Sequence, residues 1–139
     1  MSVCLKNLCP MKKQFKSKYP VNLDLTDDSG RPLNYCGIRC SMEVLGGKWK
    51  LLIVASLAKG SMRFSELKKD IPEINEKMLI RSLQDLEYHQ IVNRVVYELV
   101  PPKVEYSLSE YGQSVISLLK TLFQWGENHI EKHSDLIFH

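Results

Sequence analysis

The chain has 139 residues, 44% apolar and 25% charged, with four cysteines and a formal net charge of +3. That length suits one domain with a real core and is short for two, in the usual balance of a soluble globular protein. The longest apolar run, LLIVASLA over 51–58, falls far short of the ~18 residues a membrane span needs. No apolar stretch of the secretory kind opens the chain, so the expected setting is the reducing cytoplasm, where Cys4, Cys9, Cys36 and Cys40 are not expected to form structural disulfides.

Charge is unevenly spread. Residues 1–20 carry five lysines (6, 12, 13, 16 and 18) and no acid, while thirteen basic and thirteen acidic residues balance from 36 onward. A basic arm on a neutral body supplies sequence-independent attraction to nucleic acid, or is simply a solvated terminus. Residues 1–35 show no sustained period, and Asp27-Asp28-Ser29-Gly30 reads as a turn.

Met42, Leu45 and Trp49 have near-helical spacing interrupted by Gly46-Gly47, and KWKLLIVASLAKG (48–60) reads as a buried helix ending at Gly60. SMRF (61–64) suits a short extended piece. Ser65 is a candidate N-cap for a short helix that stops before Pro72. The clearest helix lies over 75–91: Asn75 caps it, and Leu79, Leu83, Leu86 and Gln90 trace one face. The period then changes. VNRVVYELV (92–100) and KVEYSL (103–108), joined through Pro101-Pro102, predict an antiparallel hairpin. Ser109 is the expected cap of a last helix to about Glu131, whose apolar arc is wider than one small core covers. Val115, Leu118, Leu122 and Trp125 on that arc are expected to meet a second copy.

Helix, turn, helix and two-stranded ribbon, in that order, predict a mainly α fold with a small β-hairpin, the winged helix-turn-helix. The second helix of such a pair enters the major groove of double-stranded DNA. With the leucines turned inward, Glu76, Lys77, Ile80, Arg81 and Gln84 face outward, and Ser65 and Asn75 stand at the helix starts. Arginine can bond guanine O6 and N7, and glutamine can pair with adenine N6 and N7. Lys103 is placed for a phosphate at the wing.

Cys36 with SMEVLGGKW (41–49), RFSELKKDIPEINEKMLIRSLQDLE (63–87) and VYELVPPKVEYSLSEYG (96–112) resemble, in order and spacing, the HxlR-type family of bacterial winged-helix transcription regulators, relatives of the MarR group. The resemblance implies a homodimer built from the first and last helices of the domain, bound to paired half-sites in promoters. The chain departs from that pattern at Ile80, where members often carry a polar residue, and by its arginine at 81 instead of 82. The organisation it implies is an extension over 1–35, a DNA-binding domain with its dimerisation helix over 36–133, and a tail over 134–139.

Cys36 falls where many members carry a cysteine, in some of them a sensor of oxidants or electrophiles, and a helix N-terminus favours the thiolate. Cys40, one turn on, is a second candidate, with packing as its ordinary alternative. C-x4-C with C-x3-C lacks the C-x2-C zinc spacing, and His129 and His133 suit helix-end or interface packing better than metal ligation, so neither metal nor cofactor is expected. An effector, small molecule or oxidant, is compatible with such a dimer. No phosphate loop, paired carboxylates or nucleophile elbow suggests an enzyme. The remaining rival is a winged-helix module that binds protein instead of DNA.

Overall fold

A computed structural model describes residues 26, 28–30 and 35–134, without the side chains of 35 and 36. The lysines of the basic arm, Cys4, Cys9, the Cys36 side chain and residues 135–139 lie outside what is described. The chain divides into two compact units, Met1–Val44 and Leu45–His139.

In the first unit a turn at 28–30 ends on Gly30, whose φ of +78° glycine adopts without steric cost. Helix α1, Tyr35–Leu45, follows, all but its last residue in this unit. Ile38, Met42 and Cys40 on it are exposed.

The second unit is a bundle of short helices with a hairpin. Gly47, at φ +91°, turns the chain into α2, Lys50–Leu57, which is apolar nearly all round and buries Ile53, Val54 and Leu57. The expected helix to Gly60 is shorter: its C-cap is Ala58, and Gly60 follows two residues later at φ +147°. Helix α3, Phe64–Asp70, begins one turn position before the expected Ser65. Its N-cap is Arg63, whose backbone N–H donates to the Glu66 carboxylate at 2.7 Å. An acid three residues inside the helix therefore satisfies the end that Ser65 was expected to cap, and Ser65 is an exposed first-turn residue.

Helix α4, Glu76–Tyr88, keeps its expected cap: Asn75 Oδ1 accepts from the Met78 N–H at 2.8 Å. Leu79, Leu83 and Leu86 are buried at 0–2% exposure, each contributing roughly 1.5–3 kcal/mol. Gln90 does not continue their face. It takes φ +60° just past the helix, where its N–H donates to Glu87 O and that of Ile91 to Leu86 O, both at 2.9 Å. This is a Schellman ending with glutamine where glycine is usual.

Strands β1, Val92–Tyr97, and β2, Lys103–Leu108, pair antiparallel from Val92↔Leu108 to Tyr97↔Lys103. Two hydrogen bonds between Met62 and Tyr106 attach the residues before α3 to the other edge of β2. The last helix starts later than expected. Ser109 Oγ accepts from Gly112 N–H at 2.8 Å, closing a turn that leads into a 3-10 helix over Gly112–Ser114, and α5 runs from Val115 to Lys132.

A polar lock holds α2 to α3. The buried Ser56 hydroxyl donates to Asp70 Oδ2 at 2.5 Å, and Lys59 Nζ reaches both Asp70 oxygens at 2.9 and 3.1 Å. The Ser56 hydrogen bond, then Lys59, hold the Asp70 carboxyl below its ordinary range. A depressed carboxyl stabilises the fold above its unfolded pKa, about 3.9, and that contribution is lost as pH falls through the folded value. Asp70→Asn is therefore expected to lower the urea midpoint at pH 6–7, with the gap to wild type closing as pH drops below about 4. A gap independent of pH would assign the loss to packing.

Candidate nucleic-acid interface

Helices α3 and α4 form the helix-turn-helix, with α2 packed against both, and the inner leucines of α4 fix which of its residues face out. Glu76, Lys77, Ile80, Arg81, Gln84, Glu87 and Tyr88 are exposed. On an ideal helix Lys77, Gln84 and Tyr88 follow the outermost line, with Arg81 about 30° to one side and Ile80 about 70° to the other. Among the described residues no hydrogen bond or ion pair engages the side chains of Lys77, Arg81 or Gln84, which leaves their donors and acceptors for a ligand. Asn75 differs, because its side-chain oxygen is spent on the helix cap.

Arg81 borders a shallow cleft, together with Gly46, Gly47, Lys48, Trp49 and Lys50 before and at the start of α2, and Met78, Ser82 and Asp85 of α4. Lys50 Nζ stands 3.4 Å from Asp85, tying α2 to α4, and Lys48 lies over the Trp49 ring at 4.6 Å. The sequence reading missed Tyr88, 82% exposed on the outermost line of α4 and edge-on to His89. Its spacing of four from Gln84 was the signal.

The wing differs from expectation in its charge. Lys103 Nζ is 2.6 Å from Glu105 and 5.3 Å from the Tyr97 ring centre, and its ammonium holds the Glu105 carboxyl below the usual range. A phosphate would have to compete with that pair. The tip, Leu99-Val100-Pro101-Pro102, is exposed and apolar, with a cis Val100–Pro101 bond.

On α5 the expected association face divides. Val115 is buried at 7% exposure and counts among the core residues of the chain, in which α5 packs on α2. Leu118, Leu122, Phe123, Trp125 and Ile130 remain exposed. His129 stacks on Trp125 at 5.0 Å and tilts against His133 at 4.6 Å. Cys40, for which packing was the ordinary alternative, is an exposed free thiol. Among the described residues no three His, Cys, Asp or Glu side chains gather as metal ligands, and no helix is long and apolar enough to cross a membrane.

A helix-turn-helix whose second helix exposes a polar face, followed by an adjoining β-hairpin, is the winged helix-turn-helix fold. Residues 44–134 match the HxlR-like helix-turn-helix family, and the chain belongs to it. It is 50% identical over 95 residues to the HTH-type transcriptional regulator YtcD of Bacillus subtilis, covering 68% of this chain and 75% of that one. The YtcD crystal structure superposes with a TM-score of 0.66 over 68% of this chain and 96% of that chain. The reduced form of the redox regulator HypR gives 0.67 at 36% identity, over 71% and 98% of the two chains. Diamide-treated YodB from B. subtilis gives 0.58 at 34% identity, over 66% and 91%.

Proposed function

We propose that this regulator binds promoter DNA sequence-specifically as a cytoplasmic homodimer, each subunit laying α4 in a major groove. The observation that carries the reading is the outer face of α4, where Lys77, Arg81 and Gln84 are exposed and unengaged on a helix whose inner face is locked by three buried leucines. The uncovered apolar face of α5 supports the dimer, with Leu118, Leu122 and Trp125 in it. Residues 36–133 make up the DNA-binding and dimerising domain in this reading, with Ser65, Asn75 and Glu76 near the groove.

The test is a titration against the region upstream of its own gene and against random duplex. Arg81→Ala is expected to weaken specific binding by about 1–3 kcal/mol and leave random DNA nearly unchanged, as loss of a base contact does. Lys103→Ala is expected to weaken both alike and only slightly, because breaking the Glu105 pair offsets what the phosphate contact gains. Equal loss on both DNAs for Arg81→Ala removes it from base reading. Absence of salt-dependent affinity for any duplex would favour the protein-binding module, which the equal numbers of basic and acidic residues from 36 onward otherwise support.

Thiol control is part of the proposal. Cys36 is the second residue of α1, Cys40 lies one turn on and is exposed, and the relative HypR is a redox regulator. A mild disulfide-forming oxidant is expected to change operator affinity in wild type but not in Cys36→Ser. Unchanged affinity in wild type would return both thiols to other roles.

A further inference from the structure

We propose that Ile80 is a specificity-determining residue that reads the 5-methyl group of a thymine at one position of each half-site. The proposal rests on the DNA-reading role of α4 given above and names a chemical feature of the DNA it selects.

Ile80 is 47% exposed on a helix whose other aliphatic residues of comparable size, Leu79, Leu83 and Leu86, are at most 2% exposed. It serves neither the core nor an apolar patch. Its neighbours one turn away are Glu76, Lys77 and Gln84, all exposed, and Leu83, which points into the fold. Docking of a broad apolar surface on Ile80 would strip water from those charged and amide groups and leave them without partners, a cost one isoleucine does not offset. A surface that suits this flank is polar throughout except for one small apolar spot. The major-groove edge of DNA has that character: donors and acceptors from every base pair, and a single apolar group, the C5 methyl of thymine.

Charge settles whether the flank meets bases or backbone. Glu76 and Glu87 lie within about 40° of Ile80 around the helix axis. They offer a phosphate only repulsion, whereas Lys77 and Arg81 stand on the outermost line and beyond it. The Ile80 flank is thus set against base edges, where Glu76 can accept from an exocyclic amino group such as cytosine N4. Ile80 is also five residues into α4, in the N-terminal half that a recognition helix presents to the bases.

The experiment selects operators from a random duplex library with the full chain, then replaces each half-site thymine in turn by deoxyuridine, which removes only the methyl. Wild type is expected to lose about fourfold in affinity per half-site at one thymine, the worth of one buried methyl-sized group. Ile80→Ala, a helix-compatible change at an exposed site, is expected to bind the thymine operator about fourfold more weakly per half-site and to be indifferent to that deoxyuridine. A penalty that persists unchanged in Ile80→Ala, or tolerance of deoxyuridine at every position by wild type, overturns the proposal while leaving sequence-specific binding intact. A changed oligomeric state of Ile80→Ala in sedimentation would assign the residue to subunit contact and also overturn it. Failure of wild type to enrich any sequence is the separate outcome that removes the DNA-reading role itself.

Discussion

Leu122→Lys is expected to turn the proposed dimer into a monomer and to weaken binding to a two-half-site operator by a factor of about 10² or more. Leu118, Leu122 and Trp125 fall at i, i+4 and i+7 on α5, at 40%, 42% and 65% exposure. Three large apolar side chains uncovered on one side of the helix over two turns form the kind of face that a self-complementary two-fold interface buries. Lysine there costs the isolated subunit little, since the site is already open to water. In a closed interface it would bury an unpaired ammonium beside its own symmetry mate. The fold should therefore survive, with an unchanged circular dichroism spectrum, while sedimentation reports half the mass. Linking two reading heads makes the second half-site contact intramolecular, so affinity for a single half-site should be nearly unaffected. A variant that still sediments as the wild type does would place the association surface elsewhere.

Much of the fold was legible because its signals are local. Asn75 ahead of an acid and a leucine period fixes α4, and a Val- and Tyr-rich pair of runs around Pro101-Pro102 fixes the wing. The errors share a cause. Ser65 and Ser109 both look like helix caps, yet Glu66 reaches back to the Arg63 N–H and displaces the first, while the second closes the turn ahead of a 3-10 helix whose N-cap is Tyr111. Val115 sits on the same apolar arc as Leu118, and only the packing of α5 on α2 separates the core end of that arc from the open end. Periodicity marks an apolar face without saying what covers it.

The candidate site was readable to the same depth. Inward leucines dictate outward Lys77, Arg81 and Gln84, so the exposed face of α4 proposed to read DNA follows from spacing alone. What ties side chains together across the fold was not readable. Lys103 and Glu105, two residues apart on one strand face, are the exception: their spacing was a local signal that they pair, and it was overlooked. The Ser56–Asp70–Lys59 lock joins residues fourteen and eleven apart through the angle between α2 and α3, a quantity with no sequence period.

Gly112→Ala is expected to destabilise the protein by about 2–4 kcal/mol, although alanine is the better helix former. The φ of Gly112 is not positive, so the reason is space: a Cβ there would meet the Ile91 carbonyl oxygen at 2.1 Å and its carbon at 3.0 Å. That carbonyl cannot retreat freely. It accepts the Ser109 N–H at 3.0 Å, while the Ser109 hydroxyl donates to Gln90 O at 2.5 Å and accepts from Gly112 N–H. Moving Ile91 therefore strains the Schellman ending of α4, the base of β1 and the cap of the turn into α5 together. Denaturant unfolding should show a lower midpoint at unchanged slope. Ser109→Ala, which removes the hydroxyl bridge but adds no atom at the close approach, should cost only about 1–2 kcal/mol. Equal losses for the two variants would mean that the hydrogen bonds, and not the close approach of backbone to backbone, require glycine at 112.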